Sequence, residues 1–190
     1  MAIQASGAVK LSEIQTEFTG SNPISMSEYY RGAGYVTGNN TSVPTSGAIS
    51  VSNFYGTKRE FTFTIATSYT TTQDLRTLAL AAGWDGAAPV VATVNSGVTL
   101  RGAAGAGGAS NGATGGAGST GLTVAGSFPA GVALINNGTI RGAGGGGGGG
   151  NGGNGGAGGA SLIVSTAISI TNNGTLSGGG GGGGGGAIWG

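Results

Sequence analysis

Cysteine and histidine are both missing from the 190 residues. That removes disulfide staples, cysteine nucleophiles, the common structural-zinc patterns and imidazole acid–base chemistry. The lack of cysteine does not fix a redox compartment. Charge is scarce and balanced, seven Lys and Arg against six Asp and Glu, so the chain has no electrostatic footprint for nucleic acid or an acidic membrane surface. No run approaches the ~18 apolar residues of a membrane span, and Met1-Ala2-Ile3-Gln4-Ala5-Ser6 has no basic region followed by an apolar one. Neither nucleic-acid binding, membrane insertion nor a secretion signal is expected. The carboxylates Glu13, Glu17, Glu28, Glu60, Asp74 and Asp85 show no pairing motif, and no Gly-Lys-Ser or Gly-Lys-Thr follows the glycine runs. The chain therefore reads as a non-enzyme with no catalytic residues, no metal and no cofactor.

What the sequence has in abundance is glycine. Residues 102–190 hold 37 of the 47 glycines and a single charged side chain, Arg141. Three tracts follow nearly the same phrase: Val94-Asn95-Ser96-Gly97-Val98-Thr99-Leu100-Arg101-Gly102, Ile135-Asn136-Asn137-Gly138-Thr139-Ile140-Arg141-Gly142 and Thr171-Asn172-Asn173-Gly174-Thr175-Leu176-Ser177-Gly178. Repetition at about 36 to 40 residues makes this an internal repeat. Within the tracts the step is three: Gly102, Gly105 and Gly108, then Asn151, Asn154, Ala157 and Ala160. Three residues per turn is the polyproline II period, and glycine allows such segments to approach closely and bond sideways. Tract lengths give room for five such helices, with the repeated phrases as short strands or connectors at their ends. Asn136-Asn137-Gly138 and Asn172-Asn173-Gly174 read as turns from strand to strand, on the tolerance of Asn and Gly for positive φ.

Residues 1–58 carry a second repeat. Val9-Lys10-Leu11-Ser12-Glu13-Ile14, Ile24-Ser25-Met26-Ser27-Glu28-Tyr29 and Ile49-Ser50-Val51-Ser52-Asn53-Phe54 share apolar residues at steps 0, +2 and +5 and serine at +3. The alternating part predicts extended chain, and the serine an N-cap opening a short helical turn, with Ser12 and Gln15 as a capping box. So small a segment is expected to dock and to complete its core on another subunit. The docking residues expected are Val9, Leu11, Ile14, Ile24, Met26, Tyr29, Ile49, Val51 and Phe54.

Residues 59–101 predict a small αβ spacer. Glu60–Ala66 alternates as a strand, Thr72 or Asp74 caps a helix with Leu75, Leu78, Ala79 and Ala82 on one face, Gly83 ends it, and Val90–Leu100 is a second strand. Trp84 is expected to pack on the strand pair rather than serve as a ligand platform. The expected fold class is thus mixed with low regular secondary structure: a small N-terminal docking segment (1–58), a small α+β unit (59–101) and a Gly-rich polyproline-II-type helix bundle with short β connectors (102–190).

Two resemblances carry function. Val9–Phe18, Gly20–Gly32 and Ile49–Gly56 are similar to the opening of tail-fibre and baseplate-associated proteins of tailed bacteriophages, and the Gly-rich half resembles the distal adhesins of T-even-like phages with their glycine helices. The resemblance implies a structural tail protein in the virion, made in the host cytoplasm and anchored by its N-terminus as a host-attachment tip. Its implied partners are other phage tail or baseplate proteins, further copies of itself, and a host surface glycan or outer-membrane protein. The connectors here are shorter than in those adhesins, so no receptor-binding residue carries over. Trp189 reads either as an apolar plug or as a contact with a host glycan. Arg101 and Arg141, matched by Ser177 in the third copy, could bind a sugar acid or cap carbonyls, with capping preferred. The readings from other classes are an ice-binding protein and a silk-like matrix protein. Asn151 and Asn154 interrupt the flat face the first needs, and the unrepeated stretch 60–90 disfavours the second.

Overall fold

The computed structural model describes residues 3–36 and 40–187. The chain forms two compact units, one of Met1–Phe61, Trp84–Val90 and Phe128–Gly131, the other of Thr62–Gly83, Val91–Ser127 and Val132–Gly190.

In the first unit each copy of the N-terminal repeat makes one short helix: α1 (Leu11–Phe18) and the one-turn 3-10 helices Met26–Tyr29 and Val51–Phe54. The helices begin two residues earlier than the serine pattern predicts. The caps are Lys10, Ser25 and Ser50 at step +1, all extended, and the +3 serines lie inside the first turn. The expected Ser12–Gln15 box is replaced by Glu13, whose carboxylate accepts from Lys10 N–H at 2.9 Å, and by Asn53, whose Oδ1 accepts from Ser50 N–H at 2.8 Å. The N3 side chain reaching back satisfies an amide that the helix cannot, and that places the start. The +5 residues Ile14, Tyr29 and Phe54 are fully buried in one core with Ile3, Phe18, Val36 and Val43. Phe18 and Tyr29 meet Phe54 edge-on at 6.1 and 6.3 Å, geometry worth about 0.5–1.5 kcal/mol per pair beyond burial.

The second unit is built of strands. They are β1 (Phe61–Ile65), β2 (Gln73–Asp74), β3 (Val90–Val94), β4 (Thr99–Arg101), β5 (Leu122–Val124), β6 (Val132–Asn136), β7 (Thr139–Arg141), β8 (Leu162–Val164), β9 (Ser169–Asn172) and β10 (Thr175–Ser177), with α2 (Leu75–Ala81) after β2. Asp74 caps α2 by accepting from Thr77 N–H at 2.9 Å, and Gly83 follows it at φ +101. The sheets have the orders β1-β3-β6-β9, β2-β5-β8 and β10-β7-β4. Each repeat thus contributes one strand to each sheet, and β4-β7-β10, β2-β5-β8 and β6-β9 pair in parallel. Alternate residues of β3 and β6 are buried, a pattern that fills the core of the second unit with Ala92, Val94, Val132 and Leu134.

These sheets overturn the expected polyproline-II-type helix bundle. Among the described residues the regular structure is ten strands in three sheets with two short α-helices, an α/β-type fold, and the glycine tracts carry no helix. The physical reason is that a three-residue strand is unstable alone, so the phrases look like connectors in one dimension. Stacked in register, three copies give each other ladder partners. The Asn-Asn-Gly segments do turn strand into strand, passing the chain from one sheet to another, β6 to β7 and β9 to β10, but not for the expected reason of positive φ. Neither Gly138 nor Gly174 has positive φ; glycine is required there because a Cβ on Gly138 would press on Asn95 and Val98 carbonyls, and one on Gly174 on the Gly138 carbonyl. Only the longer link of the first copy uses the left-handed region, at Gly97 with φ +80. Asn136, fully buried, donates to Asn172 Oδ1 at 2.7 Å across the ladder, which satisfies a polar group that would otherwise be costly.

Candidate functional site

The ladder β4-β7-β10 brings Arg101, Arg141 and Ser177 to one register position. All three are exposed. They border an open depression of about 300 Å³ whose remaining lining is Ala104, Gly142–Gly144 and Gly178–Gly180. The backbone of this row is used up: Arg101 N–H donates to Tyr69 O at 3.0 Å, Gly102 N–H to Arg141 O at 3.3 Å and Gly142 N–H to Ser177 O at 2.9 Å. Among the described residues neither arginine side chain bonds a carbonyl, so the capping role expected for them is not seen there.

Beside the row run the glycine tracts, extended and cross-bonded at three-residue steps. Gly105 N–H and Gly108 N–H donate to Gly144 O and Gly147 O at 2.9 and 2.8 Å, and Gly145 N–H and Gly148 N–H to Gly180 O and Gly183 O at 2.9 and 2.8 Å. Cβ atoms added at Gly142, Gly145 or Gly146 would overlap neighbouring carbonyls, whereas one at Gly180 would meet nothing within 4 Å. The tracts thus hold the row on a backbone surface with few side chains.

The nine residues expected to dock divide by step. Ile14, Tyr29 and Phe54 are the buried core of the first unit; Val9, Leu11, Ile24, Met26, Ile49 and Val51 pack against that core half-buried. Trp84 is buried, as core packing requires, stacked on Phe128 at 5.2 Å and donating from Nε1 to Ala88 O at 2.8 Å. Beside it, Asp85 accepts from Ala88 and Ala87 N–H at 2.7 and 2.9 Å and pairs with Lys58 at 3.4 Å, contacts that hold its carboxyl below the usual range, the Ala88 amide first. Trp189 lies outside the described residues.

A feature missing from the sequence reading is the end of the stack. β8, β9 and β10 are terminal in their sheets and expose Ile163, Val164, Ile170 and Leu176. In the preceding repeat the register partners Val124, Leu134 and Ile140 are fully buried.

Residues 60–190 match the family described as Phage tail fibre adhesin Gp38. The chain belongs to the phage tail fibre adhesin Gp38 family. No curated protein and no solved structure matches the chain. Membership of the Gp38 family makes this a virion protein of the tail fibre with a role in host attachment, of a structural and adhesive class, associated with other tail proteins and with host receptors. It also decides against the ice-binding and silk-like readings. No described helix is long and apolar enough to cross a membrane.

Proposed function

We propose that the chain is a tip adhesin fixed to the tail by its N-terminal docking segment, residues 1–58, with 59–101 as spacer and 102–190 directed toward the host. The observation that carries this reading is the boundary of the adhesin match, which begins at residue 60 and leaves the N-terminal repeat outside it. That segment has a core of its own, and each of its three copies adds a half-buried apolar pair, Val9 with Leu11, Ile24 with Met26, and Ile49 with Val51. Such pairs are stable enough in the isolated chain to stay ordered and retain apolar area for a partner. The partner is another tail-fibre or baseplate protein.

A cryo-EM map of the intact virion tests the orientation. Density for residues 1–58 against the fibre end, with 102–190 outermost, is the expected result; the reverse orientation overturns it. Self-association is the second part of the proposal. It is supported by the terminal strands β8, β9 and β10, which lack the charged side chains that ordinarily block edge pairing. Light scattering on the purified chain at micromolar concentration checks it, with a monomer throughout as the refuting outcome.

A further inference from the structure

Arg101 and Arg141 present a charge problem that the fold does not solve. Parallel neighbours stand about 4.8 Å apart, and like charges directly opposite on a sheet repel. The second unit contains one acidic side chain, Asp74. It is occupied by Thr77 N–H and Oγ1 at 2.9 Å each and by Thr123 Oγ1 at 3.2 Å. Among the described residues, neither Arg101 nor Arg141 forms an ion pair or a side-chain hydrogen bond. Two arginines therefore occupy neighbouring register positions without a counter-charge, beside Ser177 in the same row, at the border of a depression floored by backbone.

Planar guanidiniums bind oxyanions through paired, charge-assisted hydrogen bonds. An anion between them would also relieve their mutual repulsion. The flat, glycine-lined floor suits a ring rather than an extended side chain, because bare backbone offers surface without pockets for individual side chains.

We propose that this depression binds an acidic saccharide: Arg101 and Arg141 share its carboxylate or phosphate, Ser177 hydrogen-bonds an adjacent hydroxyl, and the sugar ring lies over Gly178–Gly180. This rests on the reading of residues 102–190 as the host-directed part, and it names the substrate class of that part as an anionic surface glycan.

The test is calorimetric titration of the full chain with glucuronic acid, glucose 6-phosphate and glucose. The two acids bind, glucose does not, and binding weakens as salt rises. Arg101→Gln and Arg141→Gln each weaken acid binding about tenfold, with the far-ultraviolet circular dichroism unchanged. Gly180→Leu, placed where a side chain meets open space, abolishes binding by filling the depression while leaving both charges. Equal binding of glucose, no binding of either acid, or acid binding that survives both arginine substitutions overturns the proposal. Capture of an acidic peptide in place of the sugars also overturns it and makes the row a protein contact. The titration needs no virion, so it can fail while the orientation seen in the particle holds, and the reverse.

Discussion

Gly146→Ala tests the close packing on which the glycine tracts depend. Gly146 is buried; its N–H donates to Gly116 O and its carbonyl accepts from Gly156 N–H, both at 2.8 Å. A Cβ there would overlap the Ala106 carbonyl and come within 2.9 Å of Gly105 O. The neighbouring segment would have to retreat by roughly 1 Å or more to regain van der Waals contact. Retreat of residues 105 and 106 stretches the bonds Gly116 N–H to Ala106 O at 2.6 Å and Gly105 N–H to Gly144 O at 2.9 Å, and strains those of Gly146 itself. At about 1 kcal/mol for each bond lost, and more where the freed group stays dry, the cost is about 3–5 kcal/mol. For a chain of this size that lowers Tm by about 10 °C. Gly144→Ala is the matched control, in the same tract two residues away. Its Cβ meets only Gly180 O at 3.6 Å, and its φ is not left-handed. It is expected to stabilise by about 0.4–1 kcal/mol through the unfolded chain. Thermal denaturation followed by circular dichroism reads both variants. If the two melt within a degree of each other, the backbone-to-backbone packing described here is wrong.

Three further outcomes follow from the two cores. Ile140→Ala should cost about 3–4 kcal/mol and Leu176→Ala about 1 kcal/mol or less, because these register partners are 0% and 38% exposed; equal losses in urea denaturation would mean that the end of the stack is covered. Tyr29 has a buried hydroxyl without a partner, so Tyr29→Phe should be neutral or stabilising by about 1 kcal/mol. Burial first, then the charge of Glu28, raises the Tyr29 pKa; its contribution is present below the unfolded tyrosine pKa and disappears as pH rises through the folded one, so the wild-type N-terminal core should weaken in alkali more than Tyr29→Phe in a pH-jump melt. Asp85 has a lowered pKa, so its contribution is present above the unfolded carboxylate pKa and is lost as pH falls through the folded value. Asp85→Asn should therefore melt below wild type at neutral pH and match it in strong acid; a gap that persists in acid refutes the amide-anchored carboxylate.

How much of this was legible depended on whether a feature is local. The cap and the Gly83 stop of α2 are set by a few adjacent groups; residue types placed the stop and narrowed the cap to Thr72 or Asp74, of which Asp74 serves. The N-terminal serines were legible as a repeat but misplaced by two residues as caps, because the cap depends on which side chain reaches back. Glu13 and Asn53 do so, and the serine rule does not register them. The three-residue step of Gly102, Gly105 and Gly108 is visible in the sequence and is the spacing of their hydrogen bonds. The sheets were not visible, since a strand as short as Leu122–Val124 has no pattern of its own and exists through partners forty residues away. The candidate site lies on that non-local level. Arg101, Arg141 and Ser177 were matched as repeat positions, but repetition does not distinguish three scattered surface residues from a row. Parallel pairing in register makes the difference: equal places in the repeat become neighbours in space. The same operation that buries Leu100 and Ile140 in the core therefore sets Arg101 beside Arg141 on the surface, and a repulsive pair persists because the residues on either side of it fix the register.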